Sequence, residues 1–221
     1  TLKVWDLESG KSIRTLEGHA SWVNAVALTS DGRQAVSASK DETLKVWDLE
    51  SGKSIRTLEG HASCVNAVAL TSNGRRAVSA SYDMTLKVWD LESSKSIRTL
   101  EGHAGWVNAV ALTSDGQQAV SASDDETLKV WDLESGRSIR TLVGHAGRVN
   151  AVALTSDGRR AVSASYDMTL KVWDLGSGKI IASFTGDSAM LCCAVSPDGR
   201  TIVAGEALGR VHFLRLEGLP P

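Results

Sequence analysis

Cysteine, proline and aromatic side chains are scarce in this 221-residue chain, with three Cys, three Pro and only 5% Phe, Trp and Tyr together. The thiols Cys64, Cys192 and Cys193 cannot all pair, and neighbours such as Cys192 and Cys193 rarely close on each other. They fit a reducing cytosol better than an oxidising compartment, and a cytoplasmic location is expected. No apolar run approaches the length of a membrane span, and the N-terminus is not a signal peptide. Charge of one sign is also missing. Twenty-four basic residues stand against 26 acidic ones, so no strong field draws the chain to nucleic acid or to a membrane. Phosphate-loop and dinucleotide glycine fingerprints are absent. No segment shows a helical period.

What is there is repetition. The string TLKVWDL begins at Thr1, Thr43, Thr85, Thr127 and Thr169, always 42 residues apart. Gly-His pairs keep the same register at Gly18-His19, Gly60-His61, Gly102-His103 and Gly144-His145. This divides the chain into partial strands over 1–16, four full repeats over 17–184 and a degenerate copy over 185–217. In that last copy Gly186-Asp187 stands for Gly-His, and Val211 to Leu216 stands for TLKVWDL. One residue is lost before the Asp198-Gly199 turn. Gly218-Leu219-Pro220-Pro221 reads as a stop.

Each period contains four short strands. Val23 to Leu28 is apolar and partly alternating, and Ser30-Asp31-Gly32 turns the chain. Ala35 to Ser39, Leu44 to Leu49 and Ser54 to Leu58 follow, separated by Lys40-Asp41-Glu42 and Glu50-Ser51-Gly52-Lys53. Hairpin turns every 8 to 12 residues predict an antiparallel meander. One such sheet cannot bury both faces alone, so repeats are expected to pack face to face around an axis.

Gly-His, strand, Ser, Asp and Trp-Asp in fixed register resemble the WD-repeat family over essentially the whole chain. The resemblance implies an all-β fold, a β-propeller of four-stranded antiparallel blades. It also implies a hydrogen-bonded tetrad in each blade: His19, Ser37, Asp41 and Trp47; His61, Ser79, Asp83 and Trp89; His103, Ser121, Asp125 and Trp131; His145, Ser163, Asp167 and Trp173. Physical logic agrees, because a buried His and Asp need partners and an indole N–H only donates. In the degenerate copy Ala204, Leu208 and Leu214 replace Ser, Asp and Trp, and Asp187 replaces His. Such a wholesale swap to apolar groups avoids orphaned partners.

Ser, His and Asp in one unit also suggest a hydrolase triad. Four identical triads in one small domain, without a strained nucleophile turn, argue for scaffolding instead. The chain is read as non-enzymatic. Metal binding is not expected, since the histidines lie in different repeats and the cysteines do not sit near them in ligand spacing; no cofactor is expected either.

The four full repeats agree at 27 of 42 positions. Repeats two and four share Arg-Arg and Tyr-Asp-Met, which points to duplication of a two-blade unit. The most varied columns are the informative ones. Three residues after each His come Trp22, Cys64, Trp106 and Arg148, with Met190 in the degenerate copy. Just before each tetrad Asp come Lys40, Tyr82, Asp124 and Tyr166. In the family these columns, with Asn24, Asn66, Asn108, Asn150 and Cys192, face the top opening, the usual interaction surface. Aromatics, Arg and amides there suit a protein or peptide partner. Lys53 and Arg56 read as a solvated rim.

The expected function is a protein-interaction scaffold or sensor. Near-identical repeats are similar to the C-terminal arrays of large bacterial signalling ATPases of the apoptosis-regulator type. The alternative is a multivalent small-ligand or glycan binder with one site per blade. Because Thr1 falls inside a motif, further repeats are expected upstream in preference to a five-bladed ring closed by Ser12 to Leu16. An open arc of blades would either associate with a second copy through its apolar faces or sit with the rest of its propeller.

Overall fold

The computed structural model describes residues 1–218; Leu219, Pro220 and Pro221 of the expected stop lie outside them. All regular structure is β, in two compact units, residues 1–101 and from 102 onward. The first unit opens with a hairpin, β1 (Leu2–Trp5) and β2 (Ser12–Leu16). Two four-stranded meanders follow: β3 (Val23–Leu28), β4 (Gln34–Ser39), β5 (Leu44–Asp48) and β6 (Ser54–Leu58), then β7 (Val65–Leu70), β8 (Arg76–Ser81), β9 (Leu86–Asp90) and β10 (Lys95–Leu100). The second unit has two more: β11 (Val107–Leu112), β12 (Gln118–Ser123), β13 (Thr127–Asp132) and β14 (Ser138–Val143), then β15 (Val149–Leu154), β16 (Arg160–Ser165), β17 (Thr169–Asp174) and β18 (Ile180–Thr185). It ends in a three-stranded sheet, β19 (Met190–Val195), β20 (Thr201–Glu206) and β21 (Val211–Arg215). These are blades of a β-propeller.

The burial of each strand follows its composition. The second strand of every full blade is buried along nearly its whole length, and only small residues fit there. Accordingly Ala35, Val36, Ser37, Ala38 and Ser39 are all buried. In the first unit Val36, Leu44, Val46 and Leu58 of one blade pack on Val65, Ala77, Trp89 and Leu91 of the next. The same contact recurs in the second unit, where Val120, Leu128 and Leu142 meet Val149, Ala161 and Trp173. Burying a side chain of this size contributes about 1.5–3 kcal/mol, so blade stacking dominates stability.

The Gly before each His has a steric reason. Gly60 sits at φ 143°, and a Cβ there would lie 3.6 Å from the edge of the Trp89 indole. Left-handed backbone and close indole packing both favour Gly. In each blade the first strand carries a bulge at its second residue, between Val23 and Ala25, Val65 and Ala67, Val107 and Ala109, and Val149 and Ala151. A bulge re-aims the side chain it carries. Here that residue is the Asn of the third candidate column, Asn24, Asn66, Asn108 and Asn150.

The last sheet corrects the sequence alignment. Met190 pairs with Glu206 as Val149 pairs with Ser165, while Gly186 still bonds to the Met168 carbonyl. The missing residue therefore falls in the loop between Gly186 and Ala189, and Ala189, not Met190, matches Arg148. Met190 is wholly buried in the core with Ile202 and Ala204. It leaves the set of surface candidates, and Leu191 takes the column assigned to Cys192.

Candidate functional site

The tetrads form one bond chain in each complete blade. In the fourth, Trp173 Nε1–H donates to Ser163 Oγ at 2.8 Å, and that hydroxyl lies 2.7 Å from His145 Nε2. His145 Nδ1 is 2.8 Å from Asp167 Oδ2. The indole only donates; with Nδ1–H facing the carboxylate, a neutral imidazole accepts the Ser proton at the nearer Nε2, the hydroxyl's other acceptor being the Lys171 carbonyl at 3.5 Å. The imidazole is neutral. Trp47, Ser37, His19 and Asp41 repeat this geometry, as do Trp89, Ser79, His61 and Asp83 and then Trp131, Ser121, His103 and Asp125.

Electrostatics match this assignment. Burial lowers the pKa of His19 and His145, outweighing the pull of Asp41 and Asp167 in the other direction. Burial works to raise the Asp41 carboxyl, yet bonds from Thr43, His19 and the Ala20 N–H hold it down at about 2. Asp83, Asp125 and Asp167 are held low by the same kind of partners.

Two further residues belong to this cluster and escaped the sequence reading. A second Ser in each blade, Ser39, Ser81, Ser123 and Ser165, is fully buried and accepts from the backbone N–H of the tetrad Asp. A Thr two residues after that Asp, such as Thr85, donates its hydroxyl to Oδ1 at 2.7 Å. Both are uniform in the four full repeats, so comparison of those repeats could not separate them from the rest of the shared residues. The chemistry of the cluster is that of a lock. The Ser hydroxyl is solvent-inaccessible and engaged with both indole and imidazole, which leaves no nucleophile facing a substrate.

The degenerate blade has a lock of its own. Ala204 is buried, whereas Leu208 is 76% exposed and Asp187 lies at the surface, ion-paired with Arg210. The interior polar group is Glu206, which accepts from Asp187 N–H at 3.0 Å and Ser188 Oγ at 3.2 Å. His212 Nε2 lies 2.8 Å from Glu206 Oε1, and its ring packs at 58° against Phe184, centroids 5.0 Å apart. The blade exchanged one polar set for another; it is not simply apolar. Glu206 stands where Ser165 does and His212 where Lys171 does, so neither residue type recurs at its position and periodicity gave no signal.

The varied columns converge in space. Lys40 N–H donates to the Trp22 carbonyl, Tyr82 to Cys64, Asp124 to Trp106 and Tyr166 to Arg148, all between 2.8 and 3.0 Å. Each bond clamps the loop before the first strand to the turn after the second, so two varied side chains share one spot per blade. Trp22 is 77% exposed with the Lys40 ammonium 5.2 Å from its ring, and the Arg148 guanidinium lies 4.5 Å from the exposed Tyr166 ring. Trp106 is exposed beside half-buried Asp124, while Cys64 and Tyr82 are both half-buried. The Asn column behaves differently. Asn24 donates to Val65 O at 2.9 Å, Asn108 to Val149 O at 3.0 Å and Asn150 to Met190 O at 2.7 Å. These amides staple a blade to its neighbour; Asn108 also bonds Asp124. Asn66 is half-buried. Among the described residues no His, Cys, Asp and Glu grouping could hold a metal ion.

The sequence model for "WD domain, G-beta repeat" matches residues 10–48, 52–90 and 94–132, and the model for "TEP-1 C-terminal beta-propeller" matches 145–216. The chain is similar to the nuclear distribution protein PAC1 of Arthroderma otae and to PAC1-2 of Uncinocarpus reesii, each 44% identical over 43 residues. It is also similar to nuclear distribution protein nudF 2 of Penicillium rubens, 46% identical over 43 residues. Each match covers 20% of this chain and 9% of the relative, the length of a single repeat. These relatives are fungal, and nothing in the matches supports the likeness to bacterial signalling ATPases.

Proposed function

The chain belongs to the WD40-repeat family, and from that premise we propose that it is a non-enzymatic scaffold or sensor whose blade ends hold a protein or peptide. One observation carries this reading: the two most varied columns are clamped together by a backbone bond in every full blade. Variation is therefore concentrated at one rigid spot per blade, above a lock that does not vary. The spots differ in chemistry, with an aromatic and an ammonium in the first blade and a guanidinium on a phenol ring in the fourth. Exposed Trp, Tyr and Arg on rigid backbone are the groups that anchor protein interfaces. The glycan reading requires like pockets in each blade, and the unlike pairs count against it.

A second reading concerns a second copy of the chain. In the fourth blade Leu170 and Val172 are buried against the last sheet, but their counterparts there, Val211 and Phe213, are 59% and 76% exposed. This open face has the pattern that binds another blade, and self-association through it is part of the proposal.

Peptides selected from a displayed random library against the chain test the main reading. Replacing Trp22, Arg148 and Tyr166 by Ala together is expected to abolish their binding, whereas Lys53→Ala with Arg56→Ala leaves it unchanged. Peptides that bind the triple variant as well as the wild type would refute it.

A further inference from the structure

The opposite end of the blades, where the first strand turns into the second and the third into the fourth, carries a different feature. In the second unit a cavity of about 480 Å³ opens between the fourth blade and the terminal sheet, lined by Arg159, Arg160, Arg200 and Arg215. Such a volume suits a small ligand. The chain supplies its own comparison. The matching cavity between the third and fourth blades, about 490 Å³, has Gln118 where this one has Arg160, and Asp174 where this one has Arg215. The third strand ends in Asp48, Asp90, Asp132 and Asp174 in the full blades, so Arg215 reverses the sign of a position otherwise always acidic.

The four arginines outnumber the acids of the lining, Asp157, Asp198 and Glu217, and Asp174 stands opposite Arg160 in the strand pair. Among the described residues none of the four forms an ion pair with a carboxylate. The acids beside them are committed elsewhere. Asp157 Oδ1 accepts from Thr155 Oγ1 at 2.5 Å and from Arg159 N–H at 2.9 Å, closing its own turn. Asp198 does the same with Ser196 Oγ and the Arg200 N–H. Both carboxyls are held below their ordinary range, first by these hydroxyl bonds and less by the nearby guanidiniums. Glu217 is the third acid of the lining.

We propose that this pocket binds a small ligand carrying two or more phosphate groups. A guanidinium fork matches two phosphate oxygens at once, and four forks around one cavity fit a compact polyanion better than a lone carboxylate. The polar walls offer no purchase to an apolar ligand body. The site is independent of the peptide-binding ends.

Calorimetric titration of the whole chain with tripolyphosphate at low ionic strength provides the test, with citrate as the carboxylate arm. Saturable one-to-one binding of tripolyphosphate is expected, with citrate at least tenfold weaker. Arg200→Ala and Arg215→Asp, each checked for an unchanged far-UV spectrum, are expected to weaken binding about tenfold or more. The second installs the residue that the full blades carry at that position. Arg137→Ala, an exposed arginine outside the pocket, is expected to change nothing. Absence of saturable binding, equal affinity for citrate, or equal loss in Arg137→Ala and Arg200→Ala would overturn the proposal.

Discussion

Ser163→Ala probes the physical core of the fold. The hydroxyl is fully buried, accepts the Trp173 indole N–H at 2.8 Å and reaches His145 Nε2 at 2.7 Å. Alanine keeps the Cβ and removes the hub, leaving a donor and an acceptor unpaired in a dry interior. Each orphaned buried group costs about 1–3 kcal/mol, so the substitution is expected to destabilise by about 2–5 kcal/mol. The Trp173→Phe background removes the orphaned donor. Ser163→Ala should then cost less, giving a coupling of about 1–2 kcal/mol in a double-mutant cycle. Urea unfolding followed by circular dichroism and indole fluorescence measures both quantities. A cost below about 0.5 kcal/mol, or additive effects in the cycle, would refute the lock as described.

Other expectations follow from the same geometry. His19 and His145 titrate below their ordinary 6.5 in the fold, so the stability they supply is complete above that pH and is lost on acidification through their lowered values. Asp41 adds a second loss below 3.8, complete near 2; a melting temperature that did not fall between pH 7 and 5 would contradict the neutral imidazoles. Met168 adopts φ 65°, a left-handed conformation, and Met168→Gly is expected to raise stability by up to about 1 kcal/mol in urea unfolding. Phe213→Glu is expected to abolish any concentration-dependent association in sedimentation velocity, and association unchanged by it would remove the terminal face from the account.

The repeat made the blades legible. The third strand read as Leu44 to Leu49 is β5, ending one residue earlier, and the second begins at Gln34 instead of Ala35. Boundaries moved because side-chain alternation runs past the last paired residue. His, Ser, Asp and Trp of each lock were readable because they occur at fixed spacing in every copy. The adjoining Thr85 and Ser81 were equally constant but lacked a chemical reason to stand out until their bonds to Asp83 were seen. The Asn column varies little because Asn24, Asn108 and Asn150 hold neighbouring backbone, and a bulge leaves no mark on an apolar pattern. Met190 was misplaced because a single-residue deletion beside Gly186 falls where the last copy no longer resembles the others. Glu206 and His212 occur once, and a one-off pair is invisible to any comparison of the chain with itself.

The claim that shared residues build the scaffold while varied ones bind is tested most directly by measuring affinity and stability on one variant. Arg148→Ala with Tyr166→Ala removes a surface pair without touching the lock beneath it. Its dissociation constant for a selected peptide is expected to rise about tenfold or more. Its melting temperature is expected to stay within about 2 °C of the wild type. An unchanged dissociation constant would contradict the account.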